Sequence, residues 1–339
     1  MLETVEQLDD ALSEPAHYVV NALSKLEGDI IVLGAGGKMG PSLTRMIKRA
    51  SDMAGSNRRV IGVSRFTSAK KEETLNDAGV KTIRCDLLDP DQMRSLPDAP
   101  NVIYMVGVKF GTSSHQAMTW AVNTYLPGAA CQKFRNSRIL AFSTGNIYGL
   151  VPVDGAGSLE TDETNPKGEY SMSALGRERV FEHFSQALGI PVALIRLNYA
   201  CEFRYGVLVD LARKVYIGEK VDLSTGYVNV MWQGDANAMT LGAFDHMSSS
   251  PFILNLAGRK KLSVRRVAER FGSLMGKSAA FTGTELPDAF LSDSRRAFGL
   301  FGYPQVDEEQ MMYWVSDWVM RGGENLGRPT HFERRDGKY

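Results

Sequence analysis

The chain reads as an α/β protein, a doubly wound parallel sheet with a smaller C-terminal substrate-binding region. Three observations predict this. Short apolar runs alternate with helix-length stretches from residue 30 to residue 195, the rhythm of βα units that cross over a parallel sheet. A glycine-rich turn joins the first run to the first helix of that series, the local chemistry of a tight strand-to-helix junction. Beyond Arg196 the rhythm loosens and Gly, Asn and aromatic residues rise, as expected where a pocket is assembled from loops and short elements.

Taken in order, residues 1–28 form a polar, helical N-terminal extension, with Val5, Leu8 and Leu12 at helical spacing and Pro15 breaking the run. Strands are predicted at Ile30–Leu33, Val60–Val63, Val80–Ile83, Val102–Val106, Ile139–Phe142 and Val192–Ile195. They place a Rossmann-type dinucleotide-binding domain over 29–195, a substrate-binding region interleaved with it over 196–330, and a tail over 331–339. There is no internal repeat and no low-complexity tract, and the 15 Met residues are scattered, which suits core filling.

With 339 residues, 43% of them hydrophobic, the chain is long enough to bury a sizeable core. Lys+Arg 39 against Asp+Glu 39 leaves no net charge to steer it toward nucleic acid or an anionic membrane. The first ten residues are acidic and lack a signal-peptide apolar stretch. No run of about 18 apolar residues follows, so a cytoplasmic protein with no membrane partner is expected. Cys85, Cys131 and Cys201 are odd in number and far apart, which argues for free thiols rather than a disulfide framework or zinc knuckle. The five His residues show no metal-ligand spacing, and no metal is expected.

The glycine segment is Gly34-Ala35-Gly36-Gly37-Lys38-Met39-Gly40. Missing Cβ atoms permit the tight turn, the approach of backbone to phosphate and the packing of helix on strand, while the helix N-terminus offers unpaired N–H groups to an anion. A dinucleotide pyrophosphate is the ligand such a turn suits. Where the second strand ends, an NAD-preferring fold presents an Asp or Glu to the ribose 2′-OH, but here Val63 runs into Ser64-Arg65. Arg65, with Lys38 nearby, fits a 2′-phosphate, so NADP is the expected cofactor, with NAD an alternative. Cys85-Asp86-Leu87 closes the third strand and puts a carboxylate where an adenine amino group would lie.

With these segments in hand, the chain resembles the extended short-chain dehydrogenase/reductases, the branch also called the NAD-dependent epimerase/dehydratase family, from about residue 29 to 320. Gly34, Gly37 and Gly40 resemble its G-x-x-G-x-x-G loop and Asp86-Leu87 its adenine contact. Asn123 sits where a helix Asn is expected, and Ser143-Thr144-Gly145-Asn146-Ile147-Tyr148-Gly149 resembles its S-S/T-x-x-V-Y-G strand end. Glu163 to Tyr170, Arg196-Leu197-Asn198, Asp235 and Asn255-Leu256-Ala257-Gly258 fall at matching landmarks. The resemblance implies that Thr144 and Tyr170 hold the substrate oxygen while nicotinamide exchanges a hydride with the same carbon. It implies cofactor contacts from Gly34, Gly36, Gly37, Lys38, Met39, Gly40, Ser64, Arg65, Asp86, Leu87, Val106 and Tyr170. It also implies a homodimer through the helices beginning near Ser114 and Tyr170, where Met118, Val122, Tyr125, Val180 and Phe184 are spaced along one face.

One departure matters. The family motif Y-x-x-x-K places a lysine four residues after the tyrosine, and this chain reads Tyr170-Ser171-Met172-Ser173-Ala174. That ammonium normally lowers the tyrosine pKa, about 10 for a free phenol, so a desolvated Tyr170 without a cation stays protonated. It serves better as an acid in carbonyl reduction than as a base in alcohol oxidation. Lys109, just beyond the fourth strand, is the stand-in the sequence offers. Gly145-Asn146 replaces the Asp-Glu pair of sugar-nucleotide dehydratases, which disfavours dehydration. The short segment between Asn198 and Asp235 lacks an arginine-rich clamp for a nucleotide diphosphate, pointing to a small substrate held by Asn146, Asn198 and Arg204. The expected activity is an NAD(P)-dependent oxidoreductase acting on a small sugar, sugar acid or related hydroxy/keto compound. An epimerase on the same fold, and a non-catalytic dinucleotide sensor made plausible by Ala174, are the alternatives.

Overall fold

The computed structural model describes residues 2–338. Seven strands form one parallel sheet: β1 Ile30–Leu33, β2 Val60–Ser64, β3 Lys81–Arg84, β4 Asn101–Tyr104, β5 Arg138–Thr144, β6 Val192–Leu197 and β7 Phe252–Leu256. Their order is β7-β6-β5-β4-β1-β2-β3, so the chain reverses direction across the sheet between β1 and β4. In open α/β sheets ligands bind at such a switch point, beyond the carboxyl ends of the strands. All four residues of β1 and of β4 are buried, as strands covered on both faces must be, whereas β3, on an edge, is half-exposed.

The sequence reading found six of these strands and passed over β7. Pro251 and three preceding serines read as a loop, and only pairing with β6, Asn255 opposite Arg196 and Leu256 opposite Leu197, makes Phe252–Leu256 a strand. One face of the sheet packs under helices His17–Ser24, Gly40–Met53 and Gln233–Gly242, and the other under Leu126–Lys133 and Gly168–Leu188. A further core gathers Phe203, Trp232, Trp318 and Phe332 around helices Val207–Ile217, Val264–Met275 and Glu308–Met320.

Two terminal segments are stitched into this body. Thr4 caps the helix Val5–Leu12 through a reciprocal capping box with Gln7, and Leu8 and Leu12 are fully buried in the C-terminal core. Asp10 pairs with Arg45 at 2.7 Å and Asp9 with Arg204 at 2.8 Å, tying the extension to the glycine-loop helix and to the substrate side of the molecule. At the other end, Phe332 is 2% exposed, so the tail is docked.

Candidate active site

The turn after β1 is built as glycine requires. Gly34 sits at φ 95°, a left-handed conformation that side chains avoid, and its N–H donates to Val63 O of β2 at 2.8 Å. A Cβ on Gly36 would lie 2.6 Å from Ser64 Oγ, and one on Gly40 would collide with the Ala35 backbone carbonyl. Helix Gly40–Met53 begins there with Pro41 in its first turn, aiming its N–H groups at the cradle. Residues of this kind fit a dinucleotide pyrophosphate.

The cations of the cradle are placed differently from what spacing alone suggests. Arg65 is exposed at the tip of β2. Lys38 turns across the cleft: its amine donates to Ala200 O at 3.1 Å and lies 4.2 Å from the Tyr205 ring centroid, and burial pushes it down to about 8. Lys71, which the sequence reading did not single out, donates to the Gly36 carbonyl at 3.1 Å. Burial, with Arg328 and Arg204 nearby, lowers its pKa. Its signal was weak, one lysine in a charged exposed helix after β2. Asp86 closes β3 half-exposed, its Oδ1 accepting from Leu88 N at 3.1 Å, with Leu87 buried beside it.

At the end of β5, Thr144 is 6% exposed and caps the short helix Gly145–Tyr148, its Oγ1 accepting from Asn146 N at 3.2 Å. Gly145 has no room for a side chain because Ser292 Oγ and Asn198 Cβ stand 2.7 and 3.2 Å from where its Cβ would be. Asn146 and Asn198 are both buried here; the Asn198 amide donates to Asn229 Oδ1 and Phe290 O at 3.2 Å. Ser292 Oγ is buried with no protein partner, a polar atom held beside this wall. Arg204 points elsewhere: Glu202 and Asp9 hold its guanidinium.

Tyr170 lies in the first turn of helix Gly168–Leu188, which packs on β5 and on the short helix after Thr144. One turn on, Ala174 is completely buried against Ile147 and Tyr148, so the position of the usual lysine is an apolar contact. Lys109 brings a cation back: its amine is 5.9 Å from the Tyr170 ring centroid and donates to Thr330 O at 3.4 Å. Burial pushes it down to about 8, and Lys38 adds to that while Asp210 and Glu333 oppose it.

A polar hub fixes the loop that carries Lys109. The helix from Gln116 passes through a π-helical turn, Ala121–Tyr125, a distortion common at functional sites. It directs Asn123 so that its amide both accepts from Val108 N at 2.8 Å and donates to Val108 O at 2.9 Å. Asn123 also donates to Ser173 Oγ at 2.9 Å. Arg177, absent from the sequence reading, donates to Asn123 Oδ1 and Phe142 O at 2.9 Å each and fills the space a side chain on Gly107 would need. Val106 is half-buried at the start of this loop.

The glycine cradle thus lies at the switch point of the sheet, with Thr144 at the end of β5 and Tyr170 on the helix packed on that strand. The chain belongs to the NAD dependent epimerase/dehydratase family, whose profile matches residues 30–223. No curated protein matches it. Among solved structures it is similar to the UDP-glucuronic acid 4-epimerase of Bacillus cereus in complex with UDP-glucuronic acid and NAD, at 16% identity and TM-score 0.71, covering 86% of this chain and 99% of that one. It is similar to the UDP-glucose 4-epimerase of Thermotoga maritima with UDP-glucose (18%, 0.71, 87% and 99%). A third is the dTDP-glucose 4,6-dehydratase of Bacillus anthracis in complex with NAD (13%, 0.73, 87% and 97%). Among the described residues no group of side chains could hold a metal ion, and no helix is long and apolar enough to cross a membrane.

Proposed function

We propose that this chain is an NAD(P)-dependent oxidoreductase acting on a small sugar, sugar acid or related hydroxy/keto compound. The observation that carries the reading is the lysine amine 5.9 Å from the ring of Tyr170, on a helix packed against the strand that ends in the buried, capping Thr144. Gly34, Gly36, Gly37, Met39 and Gly40 would hold the cofactor pyrophosphate, Asp86 and Leu87 the adenine, and Val106 the far end. The cofactor when bound supplies or accepts the hydride. Thr144 donates a hydrogen bond to the substrate oxygen, and Tyr170 gives that oxygen its proton in reduction or takes it in oxidation. Lys109 stabilises negative charge on Tyr170 in the oxidation direction. Asn146 and Asn198 orient the substrate's remaining hydroxyls, and Arg204, held by Glu202 and Asp9, takes no part.

The 2′-phosphate reading rests on Ser64 in place of a carboxylate and on two cations, Arg65 at the tip of β2 and Lys71 on the Gly36 carbonyl. The three buried thiols fit a reducing cytoplasm. Homodimerisation rests on a groove of about 540 Å³ lined by Trp120, Tyr125, Val180 and Phe184. Trp120 and Tyr125 there are 39% and 64% exposed and Met118, earlier on the same helix, 55%, and a second copy of the same helices is the occupant that would bury them. The epimerase reading keeps the same residues and draws support from the sugar-nucleotide epimerases with this fold; cofactor retained through purification would favour it.

The test is turnover of a hydroxy/keto panel with NADH and NADPH. Tyr170→Phe should lose about 10²–10⁴-fold in kcat while still binding the cofactor. Full turnover in that variant refutes the assignment, and an NADH affinity equal to that for NADPH refutes the 2′-phosphate reading.

A further inference from the structure

The last residues of the chain run along the site. Leu326 N donates to Arg204 O at 3.1 Å. Thr330, 3% exposed, is held by the Asp210 carboxylate of helix Val207–Ile217 through its N–H at 2.8 Å and its hydroxyl at 2.6 Å. His331 takes a left-handed φ of 52° and lies edge-on to Phe110, centroids 6.0 Å apart. Phe332 is buried in the C-terminal core, Thr225 donates to Glu333 O at 3.4 Å, and Arg335 donates to Asp288 O at 2.7 Å.

Gly337 then lies backbone to backbone against Lys167 and Gly168, and a Cβ on either glycine would collide with the other strand of chain. Gly168 opens the helix that carries Tyr170. The tail thus touches the loop of Lys109 and Phe110, the start of the Tyr170 helix, and the substrate-side helix of Asp210. A left-handed non-glycine residue persists only where its surroundings over-determine it, so this path is held from both sides.

Resting on the reading of Tyr170 and Lys109 as the proton-handling pair, we propose that residues 330–338 form a wall of the reaction site and that Thr330, anchored by Asp210, is the positioning residue that holds Lys109 over Tyr170. The Thr330 carbonyl, fixed by the two bonds to Asp210, accepts from the Lys109 amine and sets where that charge stands. The charged and titratable groups facing the amine are Lys38 from the glycine loop, Asp210 from the helix, Glu333 from the tail and Tyr170 itself. A released tail opens the amine to water while leaving Lys38 and Asp210 in place.

Trace acylation of the full chain across pH, read at the Lys109 peptide by mass spectrometry with exposed Lys220 as internal standard, tests this without a substrate. In the native protein Lys109 should titrate near 8. In the double variant Thr330→Val/Gly337→Val the midpoint should rise by about one to two pH units, because the dominant desolvation is relieved, while Thr330→Ser, which keeps both bonds to Asp210, should stay native. Trypsin cleavage at Arg334 and Arg335 reports whether the tail has been released. A released tail with an unmoved Lys109 midpoint overturns the proposal. If the double variant does not fold, the single Thr330→Val is read by the same criterion. Failure of the native chain to bind NADH or NADPH would instead remove the catalytic reading and leave the Lys109 titration to decide whether Thr330 positions the amine.

Discussion

The contact with the largest expected consequence is the buried ion pair between Arg196 of β6 and Glu178 of the Tyr170 helix, whose side chains are 4% and 2% exposed. The guanidinium makes a forked contact, Nε to both carboxylate oxygens at 3.1 and 3.2 Å and Nη2 to Oε2 at 2.8 Å. Nη1 donates to Tyr148 Oη at 2.6 Å and Glu160 O at 3.1 Å. Glu178→Ala leaves the guanidinium charge buried with two neutral acceptors, which should cost about 3–5 kcal/mol, the usual penalty for stranding one partner of a buried pair. Replacing both, as Glu178→Leu/Arg196→Met, removes the two charges together. What is then lost is chiefly the donor to Glu160 O, since Tyr148 Oη still donates to Asn255 Oδ1 at 2.8 Å, and an unsatisfied buried acceptor costs about 1–3 kcal/mol. The double variant should therefore be more stable than Glu178→Ala. Urea unfolding of the native protein, Glu178→Leu, Arg196→Met and their double, with Glu178→Ala alongside, measures this at constant m-value. A Glu178→Ala variant within 1 kcal/mol of the native protein, by the scale above, or a double variant with simply additive losses, refutes the reasoning.

Leu12→Ala should destabilise the protein by about 2–5 kcal/mol, since Leu12 is fully buried in the C-terminal core; a loss near zero in urea would mean the extension is not docked. The amines of Lys38 and Lys109 are pushed down to about 8 from the ordinary 10.5, so between those values the unfolded chain binds more protons than the folded one and native stability rises with pH. Lys109→Met should accordingly be more stable than the native protein at pH 7, with the difference shrinking as pH climbs from 8 toward 10.5; a gap that does not narrow would count against a desolvated amine. Tyr125→Glu should convert a dimer to a monomer in sedimentation at micromolar concentration, and a native chain that is already monomeric removes the interface reading.

What could be read from sequence was whatever is encoded locally. The glycine turn is legible because the conformation it needs, such as φ 95° at Gly34, is set by the residues of the turn itself. β1, β2 and β4 are legible because strands covered on both faces are continuous apolar runs, and Leu8 and Leu12 already marked the buried face of the first helix. The places of Thr144 and Tyr170 came from a motif whose spacing is likewise local. What tertiary structure decided were partners distant along the chain. β7 is a strand only because β6 lies beside it. Lys71 reaches Gly36 across the fold, Lys38 leaves the phosphate cradle for Ala200 and Tyr205, and Arg204 is claimed by Asp9. No sequence window contains Lys109, Asp210 and Thr330 together. A hydrogen bond fixes its partners by a separation of about 3 Å, and that separation exists only after loop, helix and tail have packed around the core they share.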